Sequence, residues 1–135
     1  MKHSIFFPVI IILLCLGTTQ TAFTQKVKNP IASNSNQGIE LIQFHTEHRC
    51  MTCNKIEELS RETLKSYTYI PFKLYNVDDS KNEKIAEEFE ATGTSLYLYN
   101  SKTKKIKDLT DFAFMNAMDK TKFMQGLKKE IAAFK

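Results

Sequence analysis

Cys50 and Cys53 stand three positions apart, where an apolar run gives way to an amphipathic one. Before them, Leu41-Ile42-Gln43-Phe44-His45 is short, apolar and rich in strand-forming residues, and reads as a buried strand. From Cys50 to about Ser66 the pattern becomes helical. Cys53, Ile56, Leu59, Thr63, Leu64 and Tyr67 recur at spacings of three and four, while Glu57, Glu58, Arg61, Glu62 and Lys65 fill the solvent face. The chain must therefore pass from strand to helix at the cysteines, with Cys50 at the helix N-terminus. The pair does not replace a hydrophobic core, because the loop it would close is tiny and loop-closure stabilisation is least for short loops. A chain of 135 residues is long enough for one domain with its own core.

The rest of the chain continues the alternation. Tyr69 to Val77 is rich in aromatic and branched residues and reads as a second strand, with Pro71 tolerated near its start. Asp78-Asp79-Ser80 is a turn that caps a helix from about Lys81 to Glu90, whose Ile85, Ala86 and Phe89 face inward. Thr92-Gly93-Thr94 breaks the pattern. Ser95 to Tyr99 and Lys104 to Leu109 read as two strands of a hairpin joined at Asn100-Ser101-Lys102-Thr103. Phe112 to Met118 is apolar without clear period and is expected to pack as a helical turn. A last helix begins at Asp119 as N-cap, with Phe123, Leu127, Ile131 and Phe134 as its core stripe. The order β-α-β-α-β-β-α predicts a mixed four-stranded sheet with helices on both faces, a three-layer α/β fold.

The N-terminus carries a different signal. Met1-Lys2-His3 is a short positive start, and Ser4 to Leu16 is almost wholly apolar. Gly17, Thr18, Thr19, Gln20, Thr21 and Ala22 follow, which completes the order of a secretory signal peptide. The apolar run falls short of the roughly 20 residues a spanning helix needs. Residues 1–24 are expected to be the signal and 25–38 a polar linker around Pro30, with the folded domain over 39–135. Phe23 after Ala22 makes no clean cleavage site, so an uncleaved anchor is the alternative. Leu14 stands before Cys15 where a lipoprotein signal needs a small residue, which argues against lipidation. Loss of the signal removes Cys15 and leaves Cys50 and Cys53 as the only cysteines of the mature chain. The chain carries a mild net charge of +4, with lysines and glutamates interspersed, and no clustered basic face of the kind that binds nucleic acid.

The placement of Cys50 suits thiol chemistry. The thiolate is the nucleophile in disulfide exchange, and a helix N-terminus offers it partial positive charge and free N–H groups. Cys50 is expected to attack a partner, and Cys53, one turn inside, to resolve the mixed disulfide. His48 and Arg49 precede Cys50 and favour a nearby anion; Met51 and Thr52 form the intervening dipeptide that tunes such pairs.

Cys50-Met51-Thr52-Cys53, the preceding Leu41-Ile42-Gln43-Phe44 and the later Ala86-Glu87-Glu88-Phe89…Gly93-Thr94-Ser95-Leu96 together resemble the thioredoxin superfamily, over Ile39 to Lys135. The resemblance implies the thioredoxin-like fold, thiol–disulfide oxidoreductase activity and the two cysteine roles. With the export signal it points to the periplasmic branch that serves disulfide handling or cytochrome maturation. Three positions depart from the family. Arg49 stands where thioredoxins have a tryptophan. Gln43 stands nearest their buried acid, which assists proton transfer to the resolving cysteine, with one extra residue in the following loop; Glu47 and His48 are the candidates to replace it. Ser95, after Thr94, stands at their cis-proline. A cis bond before a non-proline residue costs about 3–4 kcal/mol, so Thr94–Ser95 is expected to be trans, and Ser95 to offer a hydroxyl close to the cysteines.

The expected species is an exported monomer with no cofactor beyond its redox-active disulfide and no bound metal. Its partners are protein thiols or disulfides, including a membrane or periplasmic redox protein, and not nucleic acid. Two other readings compete. His45, His48, Cys50 and Cys53 are all zinc, copper or iron–sulfur ligand types within nine residues. Alternatively, the chain is a non-catalytic thioredoxin-like binding module with a structural disulfide, which would resist mild reductants where a catalytic one exchanges.

Overall fold

The computed structural model describes residues 38–134. The expected signal peptide, and the expected linker except Gly38, lie outside the described residues. The described chain follows the alternation read above, because each strand and helix has one face that must leave water.

Strand β1 (Ile39–His45) is buried along almost its whole length. Helix α1 (Met51–Leu64) follows and returns the chain to β2 (Phe72–Asn76). β2 pairs parallel with β1, Leu41 opposite Phe72 and His45 opposite Asn76, as a β-α-β crossover requires. A short 3₁₀ turn (Ser80–Asn82) leads into α2 (Glu83–Glu88). β3 (Ser95–Asn100) then runs antiparallel to β1 on its other side, and β4 (Lys105–Asp108) pairs antiparallel with β3. The sheet order is β2-β1-β3-β4, so β1 and β3 are interior and β2 and β4 are the edges. Helix α3 (Thr110–Asn116) and helix α4 (Lys120–Ala133) complete the fold.

Alternation along the interior strands divides the core. Ile39 and Leu41 of β1, with Leu96 and Leu98 of β3, face Ile56 and Leu59 of α1, Ala113 and Ala117 of the α3 segment, and Phe123, Leu127 and Ile131 of α4. Ile42 and Phe44, with Tyr97 and Tyr99, face Ala86 and Phe89 on the other side. Helices thus cover both faces of a mixed sheet, the three-layer arrangement expected from the sequence.

The boundaries shift in instructive ways. α1 starts at Met51 and not at Cys50, because Cys50 is extended (φ −75°, ψ 166°) and serves as the N-cap. β2 begins three residues later than Tyr69. The stretch preceding it, from Tyr67 to Ile70, is a turn closed by the Ile70 N–H on the Tyr67 carbonyl (2.8 Å). The helix expected from Lys81 to Glu90 divides, with Asp79 capping the 3₁₀ turn through the Lys81 N–H (3.0 Å). The apolar segment between hairpin and last helix is a true helix, α3, longer than the expected turn. Asp119 caps α4 by accepting from the Lys122 N–H (3.0 Å), as its position before the last apolar stripe implies.

Gly38 packs against the hairpin turn. The Ser101 N–H and hydroxyl both donate to its carbonyl, at 2.8 and 3.1 Å. Its φ of +102° strains any other residue there, and the Lys102 and Ser101 side chains, 3.0 and 3.2 Å from where a Cβ would stand, would have to give way. Among the described residues no helix is long and apolar enough to cross a membrane.

Candidate active site

The end of β1 and the start of α1 set the two cysteines in different surroundings. Cys50 is exposed at the N-cap, and Cys53 is buried, with 5% of its surface accessible. Both are free thiols in this structure. Cys50 Sγ accepts the Cys53 N–H at 3.3 Å, so the sulfur occupies the place a capping oxygen would take. This geometry holds the Cys50 thiol below its ordinary pKa. The hydrogen bond from the Cys53 side chain contributes most, followed by the Cys53 backbone N–H; slight desolvation opposes them, and the Thr52 N–H assists. The thiolate is therefore populated at lower pH than in a free cysteine. Alkylation of Cys50 should accordingly reach its half-maximal rate at a lower pH than a cysteine in an unfolded peptide. A pH series with iodoacetamide, read by mass spectrometry, checks this; coincident profiles would show that the cap does not activate the sulfur.

Cys53 is held from two other elements. From β1, Gln43, fully buried, donates its side-chain Nε2–H to the Cys53 carbonyl at 3.1 Å. From the bend before β3, Thr94 Oγ1 lies 3.1 Å from Cys53 Sγ. Gln43 Oε1 is buried without a protein partner. Gln43 is thus an amide that tethers the backbone of the second cysteine.

The other predicted residues distribute unevenly. Thr94 is on Cys53. Ser95, at which the sequence places the nearby hydroxyl, instead turns its Oγ back to the Gly93 carbonyl at 3.4 Å. That correction follows from the pleat: Ser95 opens β3 on the face of Tyr97 and Tyr99, opposite to the face covered by α1. Arg49 does not reach toward Cys50 as its adjacency suggests. Its guanidinium pairs with Glu57 at 2.6 Å, and Glu57 also pairs with Arg61 at 2.7 Å. Partial burial pushes the Glu57 carboxyl upward, but the hydrogen bonds from Arg61 and Arg49 outweigh it and hold the group below the usual carboxylate range. Glu57, which the sequence places on the solvent face of α1, is therefore the anchor of the loop before Cys50; no local spacing signals that contact. Met51 is 79% exposed beside the reacting sulfur, and Thr52 is half-buried.

His45 has its Nδ1 2.8 Å from the Thr46 carbonyl, and His48 is exposed in the loop. Glu47 accepts from Asn76 Nδ2 at 3.2 Å and its N–H donates to Asp78 at 2.7 Å, so it belongs to the end of β2. Neither Glu47 nor His48 is hydrogen-bonded to Cys53 in place of the missing acid. His45, His48, Cys50 and Cys53 do not assemble a metal-binding group, and no such group of three or more His, Cys, Asp or Glu occurs among the described residues.

The architecture is shared with a solved structure. Thioredoxin from Fasciola hepatica aligns with a TM-score of 0.50 at 16% sequence identity, over 74% of this chain and 85% of its own. The chain has a thioredoxin-like fold. Two further structures align less closely. A malarial protein gives a TM-score of 0.42 at 21% identity, over 61% of this chain and 94% of its own. Thioredoxin f2 from Chlamydomonas reinhardtii gives 0.45 at 19% identity, over 64% and 84%. No protein-family model and no curated protein matches the sequence. Within the thioredoxin-like fold, Cys50 and Cys53 form the Cys-x-x-Cys pair at the junction of β1 and α1.

Proposed function

We propose that this chain is an exported thiol–disulfide oxidoreductase that exchanges the Cys50–Cys53 dithiol or disulfide with partner proteins. One observation carries the reading: the pair is asymmetric, with an exposed, N-capping, activated Cys50 and a buried Cys53 one helical turn behind it. In the reducing direction the Cys50 thiolate attacks a partner disulfide, and a mixed disulfide forms as one partner sulfur leaves as thiolate. Cys53 then attacks Cys50 Sγ. The Cys50–Cys53 disulfide forms, and the second partner sulfur leaves reduced. The oxidising direction is the same sequence reversed. A purely structural disulfide has no use for an exposed, activated sulfur. Export rests on the charged, apolar and small-polar order of residues 1–24, and a membrane or periplasmic redox protein is the partner class that follows; fractionation of cells expressing the full chain checks it.

The Cys53→Ser variant tests the chemistry. Deprived of its resolving thiol, it should accumulate a covalent adduct with a disulfide-bonded peptide, attached through Cys50 and released by dithiothreitol. Wild-type protein should release the peptide reduced within the same interval. If the variant captures no peptide and Cys50 alkylates no faster than an ordinary thiol, the reading fails.

A further inference from the structure

We propose that Thr94 is the catalytic residue of the resolving step, with its hydroxyl standing in for the acid that this site lacks. The proposal rests on the exchange reaction above and concerns its second half. To attack the mixed disulfide, Cys53 must become a thiolate. It is buried, and an ion formed there is unfavourable unless a donor meets it.

Three elements place polar groups around Cys53. On its own helix, its N–H is directed to Cys50 Sγ, and the Glu57 carboxylate one turn on is held by Arg49 and Arg61. From β1, Gln43 faces it but its Nε2–H is directed to the Cys53 carbonyl and not to the sulfur. His45, at the end of the same strand, has its Nδ1 against the Thr46 carbonyl. From the loop between α2 and β3, Thr94 Oγ1 lies 3.1 Å from the sulfur. Among the described residues, and outside the pair itself, the Thr94 hydroxyl is the hydrogen-bonding side chain on the reacting atom.

A hydroxyl suits both states of that atom. It has one proton and free acceptor positions, and it rotates. Facing the thiol, Oγ1 accepts the S–H. Facing the thiolate, it donates. The exchange of roles needs rotation about one C–O bond and no movement of heavy atoms. Thr94 is itself half-buried, so the residue on the buried sulfur lies at the edge of solvent, to which the proton of Cys53 departs. Its position is fixed by the start of β3, where the Leu96 N–H donates to Thr110 Oγ1 at 3.1 Å. The balanced step is then direct. Cys53 loses its proton to water past the Thr94 hydroxyl. The thiolate electron pair forms the Sγ–Sγ bond to Cys50, the bond between Cys50 and the partner sulfur breaks, and the partner leaves as a thiolate that takes up a proton. The cysteine pair is oxidised by two electrons and the partner disulfide is reduced by two.

An aromatic disulfide such as 5,5′-dithiobis(2-nitrobenzoate) separates the two steps with the reduced full chain. The first equivalent of coloured thiolate reports attack by Cys50, and the second reports resolution by Cys53. In Thr94→Val, which keeps the shape, the first phase should be unchanged and the second slowed about 10- to 100-fold, the effect of losing a hydrogen bond to a charged group. The pH at half-maximal second-phase rate should rise in the same variant. Thr94→Ser should restore both to within about threefold of wild type, since it restores the donor. A second phase in Thr94→Val within about threefold of wild type, or one slowed equally at all pH values, overturns the proposal and leaves the exchange reading intact. A wild type that releases only one equivalent overturns both. Thr94→Ala gives the same comparison if the valine variant does not fold.

Discussion

Changing Cys50 to serine should abolish disulfide exchange while leaving the fold unaltered. The expectation follows from the two jobs that the one sulfur holds. As nucleophile it has no replacement, because a serine hydroxyl does not ionise in the range where a thiol does, and sulfur alone forms the mixed disulfide. As N-cap it has an excellent replacement, because serine is among the preferred capping residues and its oxygen can accept the Cys53 N–H that Cys50 Sγ accepts at 3.3 Å. Exchange with a disulfide-bonded peptide should fall to the uncatalysed background, and unfolding free energy should stay within about 0.5 kcal/mol of wild type. Cys53 does not take over, since it is buried and lies beneath Thr94. Retained exchange in Cys50→Ser would mean that Cys53 reaches substrates directly, and the assignment of the two roles would have to be reversed.

The second large effect concerns stability. Phe44, one position after Gln43 on β1, is fully buried on the α2 side of the sheet. Its ring meets Phe89 at 5.5 Å, Tyr75 at 5.6 Å and Tyr97 edge-on at 5.8 Å. Phe89 in turn lies against Tyr97 and Tyr99, both at 5.3 Å. Phe44→Ala removes the centre of this cluster and leaves a cavity that rings fixed on three other elements do not refill. The expected cost is about 3–5 kcal/mol. A domain of this size holds only about 5–15 kcal/mol in total, so the variant should be marginal at body temperature. In urea the midpoint should fall with an unchanged slope. A loss below about 1 kcal/mol would show that the α2 side contributes little to holding the sheet.

The fold was legible where large apolar residues mark the buried face. The stripe Phe123, Leu127, Ile131 and Phe134 after Asp119 announces α4, and Ile56, Leu59 and Leu64 announce α1. α3 was obscured because it inverts the rule. Its fully buried positions are Ala113 and, just beyond its end, Ala117, with Phe112 packed on the core only partly buried, while Phe114, Met115 and Met118 are exposed. Small residues bury there because the helix lies close to α4 and the sheet, so size and burial no longer run together and the period disappears. The site divides similarly. The two cysteine roles follow from position along one helix, a local property. The partners of Arg49 and of Cys53 do not. Arg49 bends back over two helical turns to Glu57, and Thr94 lies 41 residues along the chain from the sulfur it touches. Ser95 and Thr94 are adjacent, and only the phase of the strand decides which hydroxyl faces the pair.

The two edge strands have a consequence for the chain among its own copies. A sheet ends in unpaired amides and carbonyls, and a neighbouring polypeptide can add a strand to them. β4 is four residues long and carries Lys105, Lys107 and Asp108. β2 follows directly on Pro71 and carries Lys73, whose ammonium is held by Glu40 at 2.7 Å. Short length, charge and an adjoining proline are the devices that discourage one sheet from continuing into another. They matter most before folding is complete, when such edges lie open and the interior strands β1 and β3, almost wholly buried in the folded chain, are not yet covered.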